Sequence, residues 1–175
     1  MKKFRIFGLI IMVAACLFLT ACGKDEEKTN DNNGSSNNSS NNEVKVEGTL
    51  EEIMEKLYAN IPEDDRPMAL TNIPVDDDTI EGFLGTDDIE YDSILASEPM
   101  ISSIAHSVVL VRVKDSAKVD ATKKTIKENV NPRKWVCVGV EPDEVIIDNK
   151  GDLIVVIIVQ DQDMRNEIYN QFKSL

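Results

Sequence analysis

Leu153-Ile154-Val155-Val156-Ile157-Ile158-Val159 is the most apolar stretch of the chain after residue 21, and we expect it to decide the fold. A run of consecutive aliphatic residues, most of them β-branched, is typical of a strand that is buried on both faces. The segment therefore predicts a central strand of a sheet. Turn-forming residues 148–152 precede it, and the apolar segment 144–147 lies before them, so the two segments together predict a β-hairpin.

A second long strand is predicted over residues 103–114. Ala105, Val109 and Val111 share one of its faces, and the other face carries Val108 and Leu110 among others, so that both faces are mostly apolar. This pattern again indicates an interior strand. Shorter strands are predicted over residues 70–75, 89–96 and 135–140.

Four helices are predicted from capping residues and from apolar residues at helical spacing. The first begins at a capping box, in which Thr49 caps the helix and Glu52 reaches back to it, and continues to Ile61 before Pro62 ends it. The second helix is predicted over residues 79–84, with Asp77 or Asp78 as its cap and Gly85 as its end. The third is predicted over residues 116–129, and the fourth runs from a cap at Asp161 or Asp163 to the C-terminus.

The order of these elements predicts the fold class. Consecutive strands joined by short turns favour antiparallel pairing, and the helices then pack on the sheet. We therefore expect residues 48–175 to form a single α+β domain, with a mostly antiparallel sheet of about four to five strands.

The first 22 residues have the layout of a secretory signal peptide. A cationic start is followed by an uncharged apolar run of about 14 residues, shorter than the roughly 20 that a transmembrane helix needs. The end of this segment, Leu19-Thr20-Ala21-Cys22, resembles the lipobox of bacterial lipoproteins. The resemblance implies that residues 1–21 are removed and that a diacylglyceryl group on the Cys22 thiol anchors the mature chain in the membrane. The alternative is a plain cleaved signal in which Cys22 is incidental.

Residues 22–47 are predicted to form the lipidated cysteine and a disordered tether, because the Asn- and Ser-rich residues 24–42 include no apolar side chain. Three of the 19 basic residues lie in the signal, so 16 basic and 32 acidic residues give the mature chain a charge of −16. This charge argues against nucleic acid and anionic lipid headgroups as partners. With Cys16 removed and Cys22 lipidated, Cys137 has no cysteine with which to form an internal disulfide. The scarcity of cysteine suits a Gram-positive source.

From about Gly82 to its end, the chain resembles a family of clostridial-type lipoproteins classed as domain of unknown function 4358. The segments that carry the resemblance are Glu90-Tyr91-Asp92, Ala105-His106-Ser107 at the head of a strand, Lys114-Asp115 before a lysine-rich helix, and Gly151-Asp152-Leu153 before the aliphatic strand. The closing helix also fits. The resemblance covers about half of the chain and implies a small exported α+β domain, with no known activity or site residues to carry over.

His106 and Cys137 are the first candidates for chemistry. A cysteine thiolate beside a histidine base is the arrangement of a thiol-dependent hydrolase, which requires the two side chains to come within hydrogen-bond reach. The sequence around Cys137, Trp-Val-Cys-Val, lacks the glycine-flanked signatures of such enzymes, and a cysteine in this setting is more often a small core residue.

Two other groups of residues are candidate binding sites. The acidic residues at 76–78, 87–88 and 92 could gather Ca²⁺, but an EF-hand loop beginning at Asp76 would have Glu81 where glycine is required, and helix capping explains these residues more simply. Arg133, Lys134 and Trp135 could stack and pair with a sugar or an anionic ligand, although a lone tryptophan beside a strand is more often a core anchor.

No nucleotide-binding or zinc-binding motif is present in the sequence, and no cofactor is predicted. The leading hypothesis is a membrane-anchored extracytoplasmic lipoprotein whose domain binds an envelope protein or a small ligand, with Arg133, Trp135 and His106 as candidate binding residues. The alternative hypothesis is a thiol-dependent hydrolase that uses Cys137 and His106.

Overall fold

The computed structural model describes residues 45–175, which form one five-stranded antiparallel sheet with helices packed on it, an α+β fold as predicted. The predicted signal peptide, Cys22 and most of the tether lie outside the described residues. The strands are β1 (Leu70–Val75), β2 (Tyr91–Pro99), β3 (His106–Val113), β4 (Ile146–Lys150) and β5 (Leu153–Val159), in the sheet order β1-β2-β3-β5-β4. The helices are α1 (Leu50–Leu57), α2 (Ile80–Leu84), α3 (Val119–Asn129) and α4 (Gln162–Ser174).

The aliphatic stretch forms β5, which lies between β3 and β4 as an interior strand. Every residue of β5 and of β3 is buried. Burying one such aliphatic side chain contributes roughly 1.5–3 kcal/mol, so these two strands provide much of the apolar burial of the domain. The prediction that both are interior strands is confirmed.

Helices cover both faces of the sheet, which explains why the central strands are apolar on both sides. On the first face α1 and α4 pack over alternate residues of β3 and β5, among them Val108, Leu110 and Ile157. On the second face α2, α3 and the loop 130–145 pack over the intervening residues, among them Val109 and Val156.

The predicted hairpin joins β4 to β5, and its strands continue further than expected. Lys150 pairs with Leu153, which leaves a two-residue turn of Gly151 and Asp152. Gly151 has a φ of 56°, a left-handed conformation that glycine adopts without the steric cost of a side chain. The turn therefore fixes the register of the longest aliphatic strand.

The two edge strands have features that limit further pairing. In β4 the backbone N–H of Asn149 donates to the Asp148 carboxylate at 2.8 Å. In β1 Pro74 has no backbone N–H to donate. Each edge therefore lacks one free donor that another strand would need.

A buried arginine holds the N-terminal segment of the domain. Arg112, at the end of β3, donates to the carbonyl oxygens of Val46 and Gly48, both at 3.1 Å, and its guanidinium lies 3.1 Å from the carboxylate of Asp152. Thr49 and Glu52 then form the predicted capping box, and α1 begins. We call this part of the molecule the attachment end. Since Val46 is buried in the core, the domain begins before the predicted boundary at residue 48.

Several element boundaries and one whole strand differ from the sequence-based expectations; β3 begins at His106 and α3 at Val119, each three residues later than predicted. Helix α1 ends at Leu57 and not at Ile61, although Tyr58 and Ile61 are still buried in the turn that follows. Helix α2 begins after Thr79, whose backbone N–H donates to Asp76, so the predicted caps at Asp77 and Asp78 were wrong.

The predicted strand over residues 135–140 was also wrong. The segment is an irregular loop, because Cys137 has a φ of 62° and Val140 N–H donates back to the carbonyl of Pro132. Both features turn the chain away from an extended conformation.

Across residues 45–175 the helices are too short or too polar to cross a membrane.

Candidate binding surface

Three loops meet at the end of the sheet where β3 begins, and we call this the distal end. They are residues 62–69 before β1, residues 100–105 between β2 and β3, and residues 131–145 after α3. The first two are joined by the hydrogen bond from Met100 N–H to Ala69 O at 3.1 Å, and the last two by the bond from Val136 N–H to Ser102 O at 2.9 Å. The three loops therefore form one continuous surface.

Each of these loops exposes one large apolar side chain. Met68 is 74% exposed, Met100 is 81% exposed and Val136 is 61% exposed. We call these three residues the distal patch; no other large hydrophobic residue within residues 45–175 is exposed to this degree. Grouped apolar side chains on a surface are typical of interaction sites, and methionine is favoured there because its side chain adapts to different partners.

Strained backbone lies next to two members of the distal patch. Within the described part of the chain the non-glycine residues with positive φ are Ala69, at 57°, and Cys137, at 62°. Ala69 follows Met68 in a turn closed by Leu70 N–H on Pro67 O, and Cys137 follows Val136. The left-handed conformation costs an L-residue roughly 1–2 kcal/mol, and such cost is often found at functional sites.

A half-buried ion pair supports the loop 131–145 from below. The ammonium of Lys134 lies 2.5 Å from the carboxylate of Glu98 and donates to Gly82 O at 3.2 Å. It also lies 4.9 Å from the centre of the Phe83 ring and 5.4 Å from that of Trp135. Trp135 itself is partly buried against the core of the second face. Lys134 and Trp135 therefore fix the loop that carries Val136.

His106 is sealed inside the protein on the first face of the sheet. It is 2% exposed, and its Nε2 atom shares a hydrogen bond with the Tyr58 hydroxyl at 2.7 Å. Burial lowers the pKa of His106 to about 4, opposed by the carboxylate of Asp161, and burial raises the pKa of Tyr58 well above its ordinary value. The imidazole is therefore neutral at physiological pH and has no access to a ligand.

The structure brings only part of the predicted binding set together. Arg133 and Trp135 lie in one loop, where exposed Arg133 pairs with Glu141, but His106 is buried on the other face of the sheet. Cys137 was expected in the core and is exposed instead, because the predicted strand that would have buried it does not form. Cys137 and His106 are therefore not brought together as a nucleophile and a base.

The acidic segments around residue 76 have structural roles. Asp76 accepts hydrogen bonds from the backbone N–H and the hydroxyl of Thr79, which lowers the pKa of its carboxyl, and Asp77 accepts one from the Tyr91 hydroxyl at 2.5 Å. Within residues 45–175 no three acidic, histidine or cysteine side chains converge in a way that could hold a metal ion.

The distal patch was missed by the reasoning from sequence. A signal for two of its members exists in Pro67-Met68 and Pro99-Met100, where methionine follows proline just outside a strand, before β1 and after β2. Comparison with known proteins adds nothing to this assignment, since no protein-family model, curated protein or solved structure matches the chain.

Proposed function

We propose that this chain is a lipoprotein of the extracytoplasmic membrane face, anchored by a diacylglyceryl group on Cys22, and that its α+β domain is a binding module of the cell envelope. The observation that carries the binding role is the distal patch. The anchor is supported by the lipobox-like end of the signal, residues 19–22, and by the polar tether that follows it.

The position of the distal patch suits a domain that is held from its other end. The described chain begins at the attachment end, where Arg112 fixes the segment around Val46. His106, at the distal end of β3, lies six residues before Arg112, and at about 3.3 Å per residue the two ends are roughly 20 Å apart. The apolar surface therefore lies at the end of the domain opposite residue 45, the first residue that the structure describes.

The patch favours a protein partner over a small ligand. Full burial of a side chain such as methionine contributes roughly 1.5–3 kcal/mol, so three of them can supply a useful part of the free energy of association. The alternative of a small ligand stacked on Trp135 has less support, because the ring is partly buried and Lys134 already lies over it.

The thiol-hydrolase alternative has no geometric support. Cys137 lies in an exposed loop that packs on the second face of the sheet, whereas His106 is buried on the first face and bonded to Tyr58. A hydrolase would need the thiol and the imidazole within hydrogen-bond reach.

The anchor is tested by growing cells that express the chain with labelled palmitate and then separating their membranes. We expect label and protein in the membrane fraction for the wild type and for Cys137→Ala, and no label for Cys22→Ala. An unlabelled wild-type protein released into the medium would overturn the anchor.

The binding role is tested by placing a photo-crosslinking amino acid at position 100 in intact cells. We expect one discrete protein adduct, which is lost when Met68 and Val136 are both changed to serine. The matched control carries the same group at Asp120, whose side chain is 96% exposed on α3 and away from the patch. The proposal fails if position 100 gives no adduct, or gives the same adducts as position 120.

A further inference from the structure

The groups that surround the distal patch indicate what kind of partner it fits. The basic side chains of the three distal loops and of the first turn of α4 are already engaged: Arg133 with Glu141, Lys134 with Glu98, Arg165 with Glu144 and Val159 O, and Arg66 with the carbonyl oxygens of Tyr58 and Ile61. None of them is left to receive a carboxylate or phosphate of a partner.

Acidic side chains around the patch are, by contrast, unpaired. Glu63, Asp64 and Asp65 are exposed on the turn that leads to Met68, and Asp143 is exposed in the loop that carries Val136. In the described part of the chain these four carboxylates have neither an ion pair nor a side-chain hydrogen bond. The apolar patch is thus bordered by free negative charge.

An open groove continues this surface onto the first face of the sheet. It has a volume of about 600 Å³ and lies between the end of α1, the turn 62–65 and the start of α4. Ile61, Pro62 and Met164 contribute apolar lining, and the carboxylates lining it are those of Asp65, Asp161, Asp163 and Glu167. Asp161 already accepts from Met164 N–H and Glu167 from two side-chain amides, so Asp65 and Asp163 are the carboxylates that the groove offers beside its apolar contacts.

We propose that the distal patch and this groove receive a basic, amphipathic polypeptide segment, in which lysine or arginine residues alternate with apolar anchors. This inference rests on the proposed binding function. Charge complementarity selects the occupant, because free carboxylates attract a cationic segment and repel both anionic lipid and a second copy of this acidic chain. The apolar side chains supply contact area, whereas the carboxylates orient the basic segment and raise its rate of association.

The test measures the binding of a fluorescent Lys-Trp-Lys-Lys-Trp-Lys peptide to the chain from residue 22 onward, which includes every described residue. Anisotropy is recorded at low and at physiological salt, and a Glu-Trp-Glu-Glu-Trp-Glu peptide serves as the probe of opposite charge. We expect the basic peptide to bind in a salt-dependent manner and the acidic peptide not to bind. Equal binding of both peptides, or binding of neither, would overturn the proposal.

Two variants of equal charge show whether binding occurs at the proposed place. The double variant Asp65→Asn with Asp163→Asn should lower the affinity for the basic peptide about fivefold, as expected for the loss of two charges at an interface. The control, Glu51→Gln with Asp92→Asn, removes two exposed carboxylates that line a depression near Arg112 at the attachment end, and should change binding less than about twofold. Equal effects of the two pairs would mean nonspecific attraction and would refute the site.

A third variant separates this inference from the proposed function. The double variant Met68→Ser with Met100→Ser should lower the affinity for the basic peptide about tenfold. Its melting temperature should not change, because both side chains are exposed. If this variant binds the peptide as the wild type does, the inference is wrong. If the crosslink from position 100 still forms in cells while the basic peptide fails to bind, the patch docks a partner of different chemistry and only the inference fails.

Discussion

Replacing Arg112 with methionine tests how the domain is held at its attachment end. Methionine preserves much of the apolar stem of arginine but removes the guanidinium, and with it the bonds to Val46 O, Gly48 O and the Asp152 carboxylate. The side chains of Arg112 and Asp152 are only 9% and 15% exposed, so the carboxylate loses a partner in a poorly hydrated place. Removal of one partner from a buried pair costs about 3–5 kcal/mol.

The loss of unfolding free energy expected for Arg112→Met is near the lower limit of that range. Gly48 is exposed, so water can replace the guanidinium at its carbonyl, whereas Val46 is buried and its carbonyl loses a charged donor worth about 1.5–3 kcal/mol. We therefore expect the free energy of unfolding to fall by about 3 kcal/mol, which lowers the melting temperature of a domain of this size by roughly 10 °C.

The assay is urea unfolding of the wild type, Arg112→Met, Asp152→Asn and the double variant. A double-mutant cycle should give a coupling energy above about 1 kcal/mol, because each single change leaves the other group without its partner. The matched control is Arg133→Met, which breaks an exposed ion pair with Glu141 and should cost less than about 0.5 kcal/mol. The reasoning is refuted if Arg112→Met costs no more than this control, or if the cycle shows no coupling.

Three further predictions concern the stability of the fold. Burial lowers the pKa of His106 to about 4, so on acidification the unfolded chain binds a proton at this residue before the folded domain does. The free energy of unfolding should therefore fall by about 3 kcal/mol as the pH decreases from 6.5 to 4. Thermal unfolding against pH checks this, since His106→Gln should show a smaller loss over that window, and parallel curves would contradict it. Gly85→Ala should destabilise by about 3 kcal/mol in urea, because a Cβ at Gly85 would lie 2.0 Å from Asn129 O at a φ of 74°. Gly82→Ala, where a Cβ meets nothing within 4 Å, is its control and should not destabilise the domain; similar losses for both would refute the steric explanation. Cys137→Gly should raise the free energy of unfolding by about 0.5–1 kcal/mol, seen as a higher urea midpoint, because glycine releases the left-handed strain; a lower midpoint would show that the thiol contributes packing.

The central part of the fold could be predicted because its local signals and its tertiary environment agree. Residues 153–159 are apolar at every position, and the structure buries them on both faces. Gly151 marks the turn that sets their register, and Thr49 with Glu52 marks the first helix. In each case a short segment is sufficient to specify the conformation that it adopts.

The segment 135–140 shows where such reasoning fails. Its apolar residues Trp135, Val138 and Val140 do pack against the core, as in a strand, but they do so from an irregular loop. The left-handed conformation of Cys137 and the hydrogen bond from Val136 to Ser102 depend on a neighbouring loop about 34 residues away in sequence, which local periodicity cannot report.

The candidate surface was beyond prediction for a related reason. Single methionine and valine residues in a sequence are normally assigned to the core, and only the meeting of three loops shows that Met68, Met100 and Val136 share a surface. Conversely, His106 was a candidate binding residue because it is the only histidine, and its burial against Tyr58 follows from the packing of α1 on the sheet.

The edge strands have a consequence for a protein confined to a surface. Copies held by the proposed lipid anchor would diffuse in two dimensions, where an open sheet edge is a template for pairing with a neighbouring copy. The amide of Asn149 is occupied by Asp148, and Pro74 has none to offer. Under the proposed anchor, these two edge strands would therefore limit strand pairing between neighbouring copies held close together on a membrane.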